Sequence, residues 1–333
     1  MASQEIAREF PDGVFFVDRS FARKSMPKFL RVPANPSASP IASRDAVIDE
    51  EHGIWARIFL PTDQAQGKGE GDSSKLPVVL FFHGGGFVTL SADFCVFHVL
   101  CSSIAEKLGA LVIGVNYRLA PENRLPAAYE DGFAALKWLA DEQGGRRDPW
   151  LASHADLSKI LVMGDSAGGN LAHHVTVRAA VEDLGEMRIM GQVLIQPFFG
   201  GIARFPSETK PQPPNSTLTT DLSDQLWELA LPIGASRDHP YCHVVAPDLK
   251  AQLREIEALP KALVVAGSED VLCDRVVEFA EVMRECGKDL ELLVVENAGH
   301  AFYIVPESEK TAQLLEKISA FVHGLIPKIN SKV

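Results

Sequence analysis

A chain of 333 residues with 46% hydrophobic and 23% charged side chains is long enough to bury a large core and has the balance of a globular protein. Its formal net charge of −12 argues against a nucleic-acid partner, which would call for a basic patch, and no apolar run reaches bilayer-spanning length, so no membrane is expected either. The first ten residues carry acids and lack the apolar run of a secretory signal, which predicts a cytoplasmic location.

In chain order, an N-terminal arm leads into a Pro, Ala and Ser-rich loop from Pro33 to Ser43, and a second polar, Gly-rich stretch from Gln64 to Ser74 reads as an exposed hairpin loop. Leu76 to Phe82 is the first strand with a strong signal. Ala110 to Val115, Lys159 to Met163, Gln192 to Ile195, Ala262 to Ala266 and Leu290 to Val295 read the same way. These runs are aliphatic and do not alternate, as expected of strands covered on both faces. Helical patterns lie between and after them, at Pro126 to Glu142, Ala167 to Val181, Arg275 to Cys286 and Thr311 to Val322. Strands alternating with helices imply crossover units and a mostly parallel sheet, hence an α/β fold. Between Phe198 and about Pro260 the rhythm breaks. This stretch is rich in Pro, Gly and His and shows one helix, around Leu222 to Leu231; its aromatics favour a folded lid.

The five cysteines, Cys95, Cys101, Cys242, Cys273 and Cys286, are odd in number and without metal-ligand spacing, so they read as reduced thiols, and neither a metal nor a cofactor is expected. The sequon at Asn215 matters only in a secreted chain.

Gly164-Asp165-Ser166-Ala167-Gly168 follows one predicted strand and opens a helix. A nucleophilic serine needs a tight strand-to-helix turn with glycine two positions to either side. At ordinary glycine usage this pattern arises by chance in roughly one chain in ten of this length, so its placement between strand and helix carries the weight. His83-Gly84-Gly85-Gly86-Phe87 follows the strand ending at Phe82, a combination expected by chance in roughly a few chains per thousand. Gly85 and Gly86 are the expected oxyanion donors with the Ala167 amide, Gly84 shaping the turn and His83 structural. Of ten histidines, His300 lies just past the last strand, at a carboxyl end where such sheets gather reacting groups. His173 and His174 read as packing or surface of the helix after Ser166. For the carboxylate that orients His300, Glu269, Asp270 and Asp274 compete. Asp274, beside Arg275, is expected to cap or pair at the next helix, which leaves Asp270 ahead of Glu269.

The motifs HGGGF, GDSAGG and Asn116-Tyr117-Arg118-Leu119-Ala120-Pro121-Glu122 together resemble the hormone-sensitive-lipase branch of the α/β-hydrolases. Within that branch, the arm, Trp227-Glu228-Leu229 with Leu231-Pro232-Ile233-Gly234-Ala235, and Arg237-Asp238-His239 are similar to plant carboxylesterases, from about Asp12 to Val322. The resemblance implies an eight-stranded, mostly parallel sheet in one domain, capped by about residues 1–45 and 198–255. It also implies a triad of Ser166, Asp270 and His300, and an ion pair between Arg118 and Glu122 beneath the site. Relatives include gibberellin receptors, which keep the serine and lose the histidine, and isoflavanone dehydratases, which carry threonine at the serine position. Neither departure occurs here. Esterases that inactivate hormones or metabolites, strigolactone among them, belong to the same group. The expected partner is therefore a small to medium ester, with Phe87, Val88, Asp165, Phe198, Phe199, Trp227 and Tyr303 as candidate pocket residues. A slow or non-catalytic hormone receptor and an eliminase are the rival readings, and a monomer or weak dimer is the expected assembly.

Overall fold

The computed structural model describes residues 5–62, 75–140 and 148–325. The arm folds into a small antiparallel sheet of β1 (Ile6–Phe10), β2 (Gly13–Phe16) and β3 (Phe21–Arg23). The main sheet holds β4 (Ile41–Asp49), β5 (Ile54–Pro61), β6 (Leu76–Phe82), β7 (Leu111–Asn116), β8 (Ala155–Asp165), β9 (Ile189–Ile195), β10 (Lys261–Gly267) and β11 (Leu290–Val295). Their spatial order is β11-β10-β9-β8-β6-β7-β5-β4, and β5 alone runs against the rest. The helices among the described residues are α1 (Cys95–Leu108), α2 (Ala127–Trp138), α3 (Pro149–His154), α4 (Ala167–Ala179), α5 (Pro206–Thr209), α6 (Thr220–Ala230), α7 (Pro247–Glu255), α8 (Cys273–Glu285) and α9 (Glu309–Leu325).

The uninterrupted apolar strands follow from burial of both sheet faces. Along β6, Val78, Leu80 and Phe82 enter one core cluster with residues of α2 and α4, while Val79 and Phe81 enter a second one with residues of α1 and α9. The six predicted strands are all present. β4 went unread because its residues from Arg44 on swing between exposed and half-buried positions along an edge and its first residues lie in the stretch read as cap; β5, although buried along nearly its whole length, went unread with it. The loop expected from Pro33 to Ser43 therefore gives way to strand at Ile41. Helix α1 also went unread, although Phe97, Leu100, Cys101, Ile104 and Ala105 bury at helical spacing. The hairpin loop expected at Gln64 to Ser74 lies outside the described residues, as do positions 141 and 142 at the end of the helix expected from Pro126. The insertion read as holding one helix holds three, α5, α6 and α7.

Helix α6 is capped by Thr219, whose side chain accepts from the Leu222 amide, and buries Leu222, Leu226, Trp227 and Ala230 on one face. Trp227 lies flat on Phe198, with ring centres 4.4 Å apart and planes 2° apart. Asn170 of α4 holds the insertion from below, donating to the carbonyls of Phe198 and Tyr241, both at 2.9 Å.

The arm is tied down by Arg23. Its guanidinium donates to the carbonyls of Val88 (2.8 Å) and Ala120 (2.6 Å) and forks onto Glu122 (2.8 and 2.7 Å). This corrects the expected Arg118–Glu122 pair. Arg118 instead grips Asp131 of α2 with three contacts of 2.6–3.0 Å, because Asp131 is 1% exposed and needs a cation, whereas Glu122 is exposed and open to the arm. Arg23→Ala should therefore loosen the arm. Limited proteolysis ahead of residue 24 is expected to accelerate several-fold with little change in the melting of the main domain, and equal cleavage rates would overturn this.

Candidate active site

Strand register brings the site together. Phe82 of β6 pairs with Gly164 of β8, Asp165 with Ile195 of β9, Ile195 with Val265 of β10, and Gly267 of β10 with Val295 of β11. The carboxyl ends of these strands are thus level, and the loops leaving them carry the glycine run, Ser166, Gln196, Asp270 and His300. The chain moves from β6 to β7 on one side and returns to β8 on the other. That reversal opens the crevice in which such sheets hold ligands.

Ser166 sits at φ 51°, ψ −118°, a conformation costing roughly 1–3 kcal/mol that the surrounding turn holds in place. The turn leaves no room for side chains beside it: a Cβ on Gly164 would lie 2.1 Å from the Gly168 carbonyl oxygen, and one on Gly168 1.9 Å from that of Phe82. The Ser166 hydroxyl lies 2.9 Å from His300 Nε2, and His300 Nδ1 lies 2.8 Å from Asp270 Oδ2. Asp270 is 1% exposed, and its carboxylate also accepts from Gln196 Nε2 at 2.7 Å and from the Leu272 amide at 3.1 Å. An ionised Asp270 fixes the imidazole proton on Nδ1, leaving Nε2 to receive one from Ser166.

The rival acids are placed elsewhere. Glu269 is exposed and pairs with Lys210 at 3.4 Å. Asp274 accepts from the Ser207 amide of the insertion at 2.8 Å, and Arg275 pairs with Glu208, so the expected cap or Asp274–Arg275 pair is replaced by a tie across to α5. His83 stacks on Tyr117 at 4.4 Å, and complete burial pushes its pKa down to about 4, in keeping with a structural part. His173 is buried and His174 half-buried as packing, with pKa values pushed down to about 4 and about 3 by desolvation.

Across from Ser166, Gly85 (φ 116°) and Gly86 (φ 62°) turn the chain, and at Gly85 a Cβ would lie 2.0 Å from the Thr89 carbonyl oxygen. Among the described residues the amides of Gly85, Gly86 and Ala167 donate to no backbone carbonyl. Three amides in the loops around Ser166 are thereby left without a backbone acceptor.

A cavity of about 230 Å³ opens over these groups. Of the candidate pocket residues, Asp165, Phe198 and Tyr303 line it. Phe87, Val88, Phe199 and Trp227 do not. Phe87 packs among Tyr117, Tyr129 and Trp227; Val88 is buried in the core; Phe199 lies against Phe279; Trp227 backs Phe198 from behind. The walls come instead from Phe10 and Pro11 of the arm, Leu222 and Leu226 of α6, and Phe94 and Phe97 at the start of α1. No lysine or arginine lines the cavity among the described residues.

Asp165 lies behind the serine, accepting from the Tyr303 hydroxyl at 2.7 Å. Burial pushes its pKa from an ordinary 3.8 to about 7, with the Tyr303 hydrogen bond opposing the rise. The folded chain therefore retains a proton that the unfolded chain sheds near pH 4, so this group's contribution to stability falls as pH climbs from about 4 to 7. In Asp165→Asn, which keeps an oxygen for Tyr303, that slope should vanish. The wild-type melting temperature should drop relative to the variant between pH 5 and pH 8, whereas parallel melting curves would place the ionisation below this window.

Three residues placed at the site had a weak sequence signal or none. Gln196, at φ 44°, donates to Asp270 and to the Gly299 carbonyl and accepts from the Ala301 amide at 2.8 Å, so it spans both loops. Its one signal is a polar residue just past the aliphatic end of β9. The arm residues Phe10 and Pro11 carry none.

The alpha/beta hydrolase fold family matches residues 79–304, and the chain belongs to that family. Carboxylesterase 20 of Arabidopsis thaliana is 35% identical over 95% of this chain and 94% of its own. Gibberellin receptor GID1C of the same plant is 34% identical over 94% and 89%. An esterase structure from Pyrobaculum calidifontis superposes with a TM-score of 0.69 at 29% identity, covering 87% of each chain. No helix among the described residues is long and apolar enough to cross a membrane.

Proposed function

We propose that this chain is a carboxylesterase, a serine hydrolase that cleaves small to medium uncharged esters through an acyl-enzyme on Ser166. The observation that carries this reading is the hydrogen-bonded relay from Ser166 through His300 to buried Asp270. His300 Nε2 takes the hydroxyl proton as Ser166 Oγ attacks the ester carbonyl. The oxygen that gains charge is received by the Gly85, Gly86 and Ala167 amides, and Asp270 stabilises the imidazolium. The Oγ–carbonyl adduct collapses with His300 protonating the departing alcohol, and water repeats the sequence to release the acid. Gln196 holds the Asp270 carboxylate and the His300 loop in register, as a positioning residue.

An uncharged substrate follows from the walls: a carboxylate sealed among Phe, Leu and Pro side chains without a cation would lose more solvation than it regained. Plant metabolite or hormone esters of this size, strigolactone included, fall within the proposed class. The likeness to a gibberellin receptor supports a second reading, ligand capture without turnover, against which the placement of His300 weighs. Hydrolysis of p-nitrophenyl acetate and butyrate separates them. Saturable, serine-dependent turnover giving acid plus alcohol supports the esterase, while tight binding of small apolar ligands without turnover supports the receptor. Loss of a leaving group without uptake of water would mark an eliminase instead.

A further inference from the structure

A second cavity, of about 180 Å³, lies against the first. Val96, Tyr303 and Ile304 line both, so these three side chains are a shared wall between them. Beyond that wall the second cavity runs between α1 and α9, past Val99, Leu100 and Leu315. Two of its three lining hydroxyls are spent on the protein itself: that of Thr311 donates to the Val305 carbonyl at 2.7 Å and that of Tyr303 to Asp165, the third belonging to Ser103. Its outer rim carries exposed apolar side chains, Val99 (40%), Ile304 (42%) and the neighbouring Val305 (54%). Exposed aliphatics are ordinary singly, but here they border an apolar cavity that abuts the candidate nucleophile's own pocket.

We infer that the second cavity is a subsite for an unbranched aliphatic chain of the ester, which passes Val96 and Ile304 on its way from Ser166 toward the surface at Val99. The inference takes its occupant from the esterase reading. Tyr303, held by Asp165, forms the fixed side of the passage, and Val96 and Ile304 the side that sets its width. A chain fits this path because it needs no hydrogen-bond partner, and taking each methylene out of water is favourable. A polar arm of the same length would be stripped of water along the path.

The test is a chain-length profile with two arms. In one, p-nitrophenyl esters from acetate to dodecanoate lengthen the acid; in the other, alkyl acetates from methyl to octyl lengthen the alcohol. Val99→Trp, at an exposed helix position that lines only the second cavity, fills the subsite. It should lower kcat/KM for chains of eight carbons or more by tenfold or more on one of the two arms, leaving acetate and butyrate esters within twofold. Ile304→Ala should move the long-to-short ratio the other way. Equal effects on short and long chains, or none on either arm, would overturn the subsite. A binding readout serves even if no ester turns over: Cys95 lines the second cavity, whereas Cys273 does not. Under limiting maleimide, 2-dodecanone should slow alkylation of Cys95 at least fivefold in peptide mapping, and 2-butanone should not. Undiminished Cys95 labelling together with a flat chain-length profile would mean that the cavity stays empty. Absent turnover with protected Cys95 would instead count against the esterase reading alone.

Discussion

Ser166→Ala should lower kcat for p-nitrophenyl butyrate by about 10⁵–10⁶, the largest effect expected of any single substitution here. The change removes only the oxygen proposed to attack. Alanine carries the same Cβ as serine and meets the same strain at φ 51°, so the turn, the Ala167 amide and the glycine run should keep their places. Turnover that persists in this variant should be about 10³–10⁴ above the water rate, from the oxyanion amides and binding alone. Thermal melting should stay within a few degrees of wild type. A variant that melts normally and hydrolyses the ester at the wild-type rate would remove Ser166 from the chemistry.

Asp270→Asn is expected to cost about 10⁴ in kcat, with KM within a few-fold of wild type. The carboxylate now accepts from three donors, the His300 ring, Gln196 and the Leu272 amide. An amide offers one oxygen and one NH₂ group in the same space. Whichever way it turns, an NH₂ faces a donor, and the arrangement best satisfied moves the imidazole proton to Nε2, where it can no longer accept from Ser166. Glu269→Gln, one position earlier, alters an exposed pair with Lys210 and should change kcat less than twofold. The two variants together decide between the neighbouring acids: a large loss at 269 with a small one at 270 would reverse the assignment. Gln196→Leu should fall between them, and because Gln196 acts through Asp270, its loss should appear in kcat rather than KM.

Strands β6 to β10 and the major helices were legible because burial on both faces writes a continuous aliphatic run, and helical spacing writes a face such as that of α4, while the edge strand β11 was read from its aliphatic run despite being half-buried along much of its length. The edge strand β4 was not, since one of its sides meets solvent and its residues alternate without a clear apolar set. At the site, Ser166, the glycine run and His300 each stand at the end of a strand with their own turn chemistry beside them. The pocket walls were harder. Trp227 and Phe87 look like aromatic pocket residues in the chain, yet they supply packing behind Phe198, while the unremarkable Phe10, Leu222 and Leu226 face the cavity.

The sequence by itself determined the fold class and the strand-end placement of Ser166, His300 and the glycine run, because periodicity and turn chemistry depend on residues a few positions apart. Only the tertiary structure decided which partners meet. His300 reaches Ser166 across 134 positions, Gln196 reaches Asp270 across 74 and Arg23 takes Glu122 across 99, leaving Arg118 to Asp131. Those pairings are set by the register of neighbouring strands and by how the arm and insertion dock over the sheet, and no local stretch of the chain encodes them.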